Sequence, residues 1–575
     1  MKQISHEYAN RFRDRLADLY PGREDQLLTR LYQLLGRYGV APKARTDRLW
    51  NERDAVLITY ADMVRDEGMS PLRALQRFAC EHLRAAVSAV HLLPFCPWSS
   101  DDGFSVKDHR SVQEDYGDWR DVDALGAEFE LMFDLVLNHC SRQSTWFGDY
   151  VKGIAPARDY FHEMDPKTDL SAVVRPRPTP LLSRVMTKRG ERHVWCTFSA
   201  DQVDLNWANP DVLFEFLDIL LLYLAHRARI VRLDAVAFLW KVPGTSCLHL
   251  PKTHEVVKLL RDVVDLVAPG SLVLTETNVP HEENISYFGA GDEAHVVYQF
   301  SLPPLLLHGL LRGTAEHLAG WAAALPAGRP GCTFLNFTAS HDGIGVRPLQ
   351  GLVPAEELAT LMAEMERRGG KISWRDNGDG TRSPYELNIT YFSALSDPDD
   401  RERGRQRFLC SQAVALAMRG IPAVYFQSLV AAENWTAGFA ATQRNRTLNR
   451  RKWRTSELAE RLGDADGDAA IVFAAMQQML RCRARQPAFH PDGEQRVLAL
   501  PKELFGFVRS SPGGDQQIVC LFNFTARPVA TGPIADAAIP PGSRHRDLIS
   551  GETLETSGGE GTTLAPFQAV WLTAE

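Results

Sequence analysis

The sequence predicts an α/β fold: a (β/α)8 barrel interrupted by an insertion after strand three and another after strand seven, with a C-terminal antiparallel β-domain. Three observations lead there. Eight short β-branched or apolar runs recur with helical stretches between them, two connections are far longer than ordinary loops, and from about residue 492 strands and turn signals follow one another closely.

The runs cover residues 55–60, 87–94, 131–138, 230–236, 272–276, 295–300, 334–339 and 423–427. Short apolar runs alternating with helices suit parallel strands buried on both faces, and eight of them suit a closed barrel. Between them, Asn209 is placed to cap a helix with Pro210 in its first turn and an apolar face over 212–224, and residues 253–267 repeat apolar side chains at i, i+3 and i+4. Leu27, Leu31, Leu34 and Leu35 share a helical spacing, so residues 1–50 read as a helical extension. The barrel then spans 51–490, with insertions over 140–206, which hold a Pro/Arg-rich stretch at 174–180, and over 345–400, which hold the acidic runs 376–380 and 396–400. The β-domain occupies 491–575, with strands expected at 504–509, 517–523 and 567–573.

Composition removes several function classes. Lys+Arg 64 against Asp+Glu 72 leaves a net charge of −8, which argues against a polyanion binder and hence against nucleic acid as a partner. Hydrophobic residues at 45% supply a core and exclude a disordered chain. The most apolar segment, 214–225, is too short to cross a bilayer and contains Asp218, and the N-terminus is charged from its second residue, so no membrane and a cytoplasmic location are expected. The 9 cysteines are scattered without a C-x-x-C, so they read as reduced and mostly buried, with no metal.

In a βα barrel the chemistry gathers at the C-terminal ends of the strands. Four ends are polar here: Asp134 to His139, Arg232 with Asp234, Glu276 with Asn278, and His341 with Asp342. Arg232 and Asp234 are two apart on a strand and point the same way, and an arginine beside a carboxylate holds it ionised with a lowered pKa, as a nucleophile needs. Glu276 ends a far more apolar run, where burial raises its pKa toward that of a proton donor. Two carboxyls in divergent environments are the acid/base arrangement of glycoside cleavage, and Asp342 adds a third. On residue type alone, Phe104, His139, Trp195, Trp207 and Trp240 read as core.

The blocks DLVLNH (134–139), RLDAVAF (232–238), ETN (276–278) and FTASHDG (337–343) resemble the signature regions of the α-amylase family of retaining α-glucoside enzymes. DDGFSVKDH (101–109), RPRP (175–178), GTSCLHLPKTHEVVKLLR (244–261), HDGIGV (341–346), YELNITYFSAL (385–395) and RTLNR (446–450) are similar to the sucrose phosphorylase branch. The resemblance implies Asp234 as nucleophile, Glu276 as general acid/base and Asp342 as the carboxylate that binds sugar hydroxyls and stabilises the transition state. Arg232, His139 and His341 would surround the glucosyl ring, Asp101 and Arg446 would grip its far hydroxyls, and Phe104 would form an apolar platform. Arg177, in the proline-braced loop, would contact phosphate or the acceptor sugar. The basic residues beyond Arg446 in the run 444–454 read as a solvated face.

Three positions depart from the sucrose pattern: Phe238 replaces a tyrosine, Glu386 replaces a glutamine that helps hold fructose, and Val174 replaces a tyrosine before RPRP. FLWKVPGTSCLHLPKTHE (238–255), TNVPHEENISYFG (277–289) and the N-terminal extension more closely resemble the glucosylglycerate phosphorylases of the branch. The expected reaction is therefore glucosyl transfer to inorganic phosphate with net retention, from glucosylglycerate first and sucrose second, with hydrolysis a third possibility. Glu386 would bond a glycerate hydroxyl or orient an arginine. No cofactor is implied; many relatives bind calcium beside the residue matching Asn138, but this branch generally does not. The branch includes homodimers. A non-catalytic binding or assembly role, as in transporter heavy chains of this fold, fits poorly with an intact carboxylate triad.

Overall fold

All eight predicted runs form parallel strands, and in the computed structural model they close a barrel: β1 (Val56–Thr59), β2 (Ala89–Leu92), β3 (Glu130–Val136), β4 (Ala228–Asp234), β5 (Leu272–Thr275), β6 (Val296–Tyr298), β7 (Thr333–Phe337) and β8 (Ile421–Tyr425). β1 pairs with both β2 and β8, which removes the sheet edges. The structure describes residues 4–39, 48–377, 381–534, 544–555 and 561–574. Residues 378–380 of the predicted acidic run 376–380 lie outside them.

The extension is a helical pair, α1 (His6–Leu19) and α2 (Glu24–Arg37), and all four leucines of its predicted stripe are buried. In the barrel, Asn209 caps α3 (Pro210–Ala225) by accepting from the Asp211 amide, as its sequence predicts, and α4 (Pro251–Val267) follows β4. Polar anchoring joins α1 to α4: Arg15 pairs with Glu255 at 3.1 Å and lies 3.5 Å from the fully buried Asp262, which Arg11 also contacts.

The first insertion is built on a hairpin, Leu182–Thr187 with Gly190–Trp195, and on a pairing of His139–Ser141 with Gln202–Asp204 at the barrel mouth. Trp195, Trp207 and Trp240 are buried, in keeping with their core reading. The second insertion packs α5 (Ala355–Arg367) against a three-stranded sheet whose strand Arg382–Asn388 pairs with Ile344–Gly345, directly after the β7 loop. That register sets Glu386 opposite Gly345, over the barrel mouth. At the C-terminal end, Leu504–Ser510, Gln517–Asn523 and Ala569–Ala574 are adjacent strands of a six-stranded sheet. All nine cysteines are free, seven of them buried. Among the described residues no helix is long and apolar enough to cross a membrane.

Candidate active site

β3 and β4 run in register, so Asp134 lies beside Arg232 and Val136 beside Asp234. The buried Arg232 guanidinium uses one terminal nitrogen for both Asp134 and Asp234, the latter at 2.8 Å, and its other terminal nitrogen lies 3.9 Å from Glu276. Glu276 follows β5 directly, and its amide donates to the Leu233 carbonyl, which sets it beside the end of β4. Its carboxylate accepts the Ala235 N–H at 3.0 Å. Ala235 adopts φ 49°, a left-handed conformation that costs a non-glycine residue about 1 kcal/mol or more, and the turn it makes is what aims this amide at Glu276.

Burial pushes Asp234 and Glu276 each up to about 7. For Asp234 this reverses the sequence expectation of a lowered pKa. Its side chain is deeply buried, and the arginine expected to hold it ionised is shared with Asp134, whose own charge opposes that of Asp234. Two carboxyls sharing one cation in a dry site hold one proton between them near neutral pH. The shorter contact to Arg232 favours the charged form at Asp234 more than at Glu276. Asp342 behaves differently: burial works against its charge, yet Arg446, His341, Arg450 and Arg232 hold it well below the usual carboxylate range.

Phe104 stacks flat on His341, with ring centroids 4.7 Å apart and planes 3° from parallel, and the Phe104 carbonyl lies 3.0 Å from His139 Nε2. The loop before it needs Gly103, where φ is +113° and a Cβ would meet the Pro94 carbonyl at 2.4 Å. Arg446 reaches Asp342 and Glu386, each at 2.7 Å, and stays 3.8 Å from Asp101. Its two direct anchors are therefore the third carboxylate and Glu386 of the strand Arg382–Asn388, and Asp101 finds its closer cation elsewhere. That cation is Arg450, which the sequence reading assigned to a solvated face. It is buried, donates to the His341 carbonyl at 2.8 Å, and pairs with Asp101 at 3.3 Å and Asp102 at 2.7 Å. The signal for it was present, since it closes the matched stretch RTLNR. Arg454 is exposed, as read, whereas the half-buried Lys452 of the same run pairs with Asp62 at 2.6 Å.

Arg177 lies over the Tyr385 ring at 4.9 Å and 3.9 Å from Glu386, while Phe238 meets Phe198 edge-on at 5.4 Å. All the predicted site residues except Arg232 line one cavity at the barrel mouth, and Arg232 sits beneath them. Glu386 is held by the two arginines, consistent with the orienting role suggested by sequence.

Residues 84–311 match the family model for the alpha-amylase catalytic domain. The chain is 44% identical to the glucosylglycerate phosphorylase of Allomeiothermus silvanus over 576 residues, covering 100% of both, and 43% identical to that of Escherichia coli over 97% of this chain and 99% of the relative. It is 30% identical to the sucrose phosphorylase of Streptococcus mutans over 77% of this chain and 89% of the relative. The chain belongs to the α-amylase family, in its phosphorylase branch. Its fold matches the crystal structure of a sucrose 6F-phosphate phosphorylase from Thermoanaerobacter thermosaccharolyticum, with a TM-score of 0.71 at 25% identity over 82% of this chain and 94% of the other. A trehalulose synthase from Pseudomonas mesoacidophila shares the fold at TM-score 0.66 and 17% identity, over 93% of this chain and 100% of the other.

In this α-amylase-family enzyme the side chain of Asn138 is occupied by the protein's own cation: Lys241 lies 3.1 Å from its oxygen and 2.8 Å from the fully buried Asp204. The sequence reading did not single out Lys241 or Asp204. Asp134 was named at its strand end but given no role; it lies outside the cavity lining and acts through its hold on Arg232.

Proposed function

We propose that this chain is a retaining phosphorylase that transfers the glucosyl unit of glucosylglycerate to inorganic phosphate, releasing α-glucose 1-phosphate. The observation that carries the reading is the placement of Asp234 and Glu276 around one buried guanidinium, 2.8 and 3.9 Å from it. Ionised Asp234 attacks the anomeric carbon as the bond to the glycerate oxygen breaks, and Glu276 gives its proton to that oxygen. A phosphate oxygen then attacks the same carbon, Glu276 takes back a proton, and the bond to Asp234 breaks. Retention by this double displacement needs the two carboxyls ~5–5.5 Å apart, and two groups flanking one guanidinium suit it. Asp342, held ionised by Arg446, faces the sugar hydroxyls and the positive charge that develops on the ring.

The donor rests on the three glucosylglycerate phosphorylases, 43–45% identical over 90% or more of this chain, against about 30% for sucrose phosphorylases. The free cysteines fit the reducing cytoplasm, where we place the enzyme. The deciding measurement is phosphate-dependent release of glucose 1-phosphate from glucosylglycerate and, separately, from sucrose. Release from sucrose alone would replace the donor, and glucose formation independent of phosphate would make the enzyme a hydrolase.

A further inference from the structure

Most of the arginines around the cavity have carboxylate partners. Arg232 holds Asp134 and Asp234, Arg446 holds Asp342 and Glu386, and Arg450 holds Asp101 and Asp102. Arg347 is different. It lines the same cavity from the turn that follows Ile344–Gly345, yet among the described residues no carboxylate lies within ion-pair distance of it. Its buried Nε has no hydrogen-bond partner, and one terminal nitrogen makes only a long contact, 3.5 Å, to the Asn278 carbonyl. A guanidinium left this way in a partly dry site is a standing donor for an anion.

Its position selects the anion. Asn278 lies two residues after Glu276, so Arg347 faces the side of the cavity where the leaving group takes its proton. Tyr385, which carries Arg177 on its ring, feels the charges of Arg347 and Glu276 together. Arg375, on the strand Lys371–Asp376 of the second insertion, is also close enough for its charge to be disfavoured by Arg347, so a second cation approaches here. Arg177 cannot fill this role as fully, since Glu386 already stands 3.9 Å from it.

We propose that Arg347 binds the carboxylate of the glycerate moiety and is the residue that selects an anionic over a neutral acceptor. The assignment rests on the phosphorylase reading above and deepens it. A carboxylate meets the fork of the guanidinium with two parallel hydrogen bonds, which a hydroxyl in the same place cannot do.

The test runs the reaction in the synthetic direction, with glucose 1-phosphate as donor and either glycerate or glycerol as acceptor. Loss of a charge-assisted hydrogen bond predicts that Arg347→Gln raises the KM for glycerate about 10- to 100-fold and lowers the glycerate-to-glycerol preference by a similar factor. Because the preference is a ratio measured on one preparation, the fraction of correctly folded enzyme cancels from it. Arg347→Lys, which keeps the charge without the fork, is expected to fall between the two. Glycerate transfer by the wild type with an unchanged preference in Arg347→Gln, or a raised KM for phosphate alone, overturns the assignment and leaves the phosphorylase reading standing. No transfer to glycerate by the wild type overturns the glycerate reading itself, and the assignment with it.

Discussion

Arg232 and Asp134 bond side by side from register-matched positions on neighbouring barrel strands, both out of contact with water. Asp134 is held in turn by His91 at 2.7 Å. The guanidinium that faces Asp234 and Glu276 is therefore oriented from below, and part of its charge is neutralised before Asp234 meets it.

Asp134→Asn removes that neutralising charge. Asp234 must be ionised to attack, and without Asp134 its pKa falls, so the acid limb of kcat/KM moves to lower pH by about one pH unit. Turnover falls about tenfold as Arg232 loses an anchor. A pH–rate profile reads both effects, and an acid limb that stays in place would show that Asp134 acts only through packing.

The pair raised to about 7 predicts a narrow bell centred near neutral pH, with an acid limb from ionisation of Asp234 and an alkaline limb from loss of the Glu276 proton. Glu276→Gln should abolish the alkaline limb and reduce turnover of the natural donor by about 10²–10⁴. Formation of the glucosyl-enzyme from α-glucosyl fluoride, whose leaving group needs no proton, should be reduced far less. Equal losses on both donors would remove Glu276 from the acid role.

Glu386→Gln keeps the volume and removes the charge that pairs with Arg446 at 2.7 Å. Arg446 then keeps Asp342 as its one close carboxylate, and losing a charged hydrogen bond predicts about a tenfold or greater rise in donor KM with a smaller change in kcat. Steady-state kinetics on glucosylglycerate separate the two.

The N-terminal helix offers a stability test away from the chemistry. Burial raises Asp262 to about 6 even with Arg11 and Arg15 beside it. Because its folded pKa exceeds the unfolded value of about 4, its contribution is fully present below pH ~4 and is lost as pH rises through about 6. Arg15→Ala leaves this carboxylate less compensated and should cost about 3 kcal/mol at pH 8, with less loss at pH 5. Adding Asp262→Asn should recover much of it, as measured by denaturant unfolding. No recovery would mean that Arg15 acts through Glu255 and Asp292 instead.

How much of this was legible in sequence differs by residue. The eight strands were found because strands buried on both faces must be short apolar runs, and only their ends moved by a few residues. Glu276 follows its strand and Asp234 ends its own, so the same periodicity that located the strands located them. Arg450 was misread because a basic run has one composition whether it faces water or carboxylates. Arg347 was passed over because nothing in an arginine's neighbours in sequence shows that, among the described residues, no carboxylate pairs with it in space.

The sequence by itself determined the barrel, its insertions and the three carboxylates, since strand periodicity and strand-end position are local properties of the chain. Tertiary structure alone decided which cation meets which carboxylate. Arg232 lies 98 residues from Asp134, and Arg446 lies 60 from Glu386. Coulomb energy depends on distance and burial, so the raised pKa of Asp234, the ionised state of Asp342 and the lack of a carboxylate partner for Arg347 among the described residues exist only once the strands and the second insertion have met.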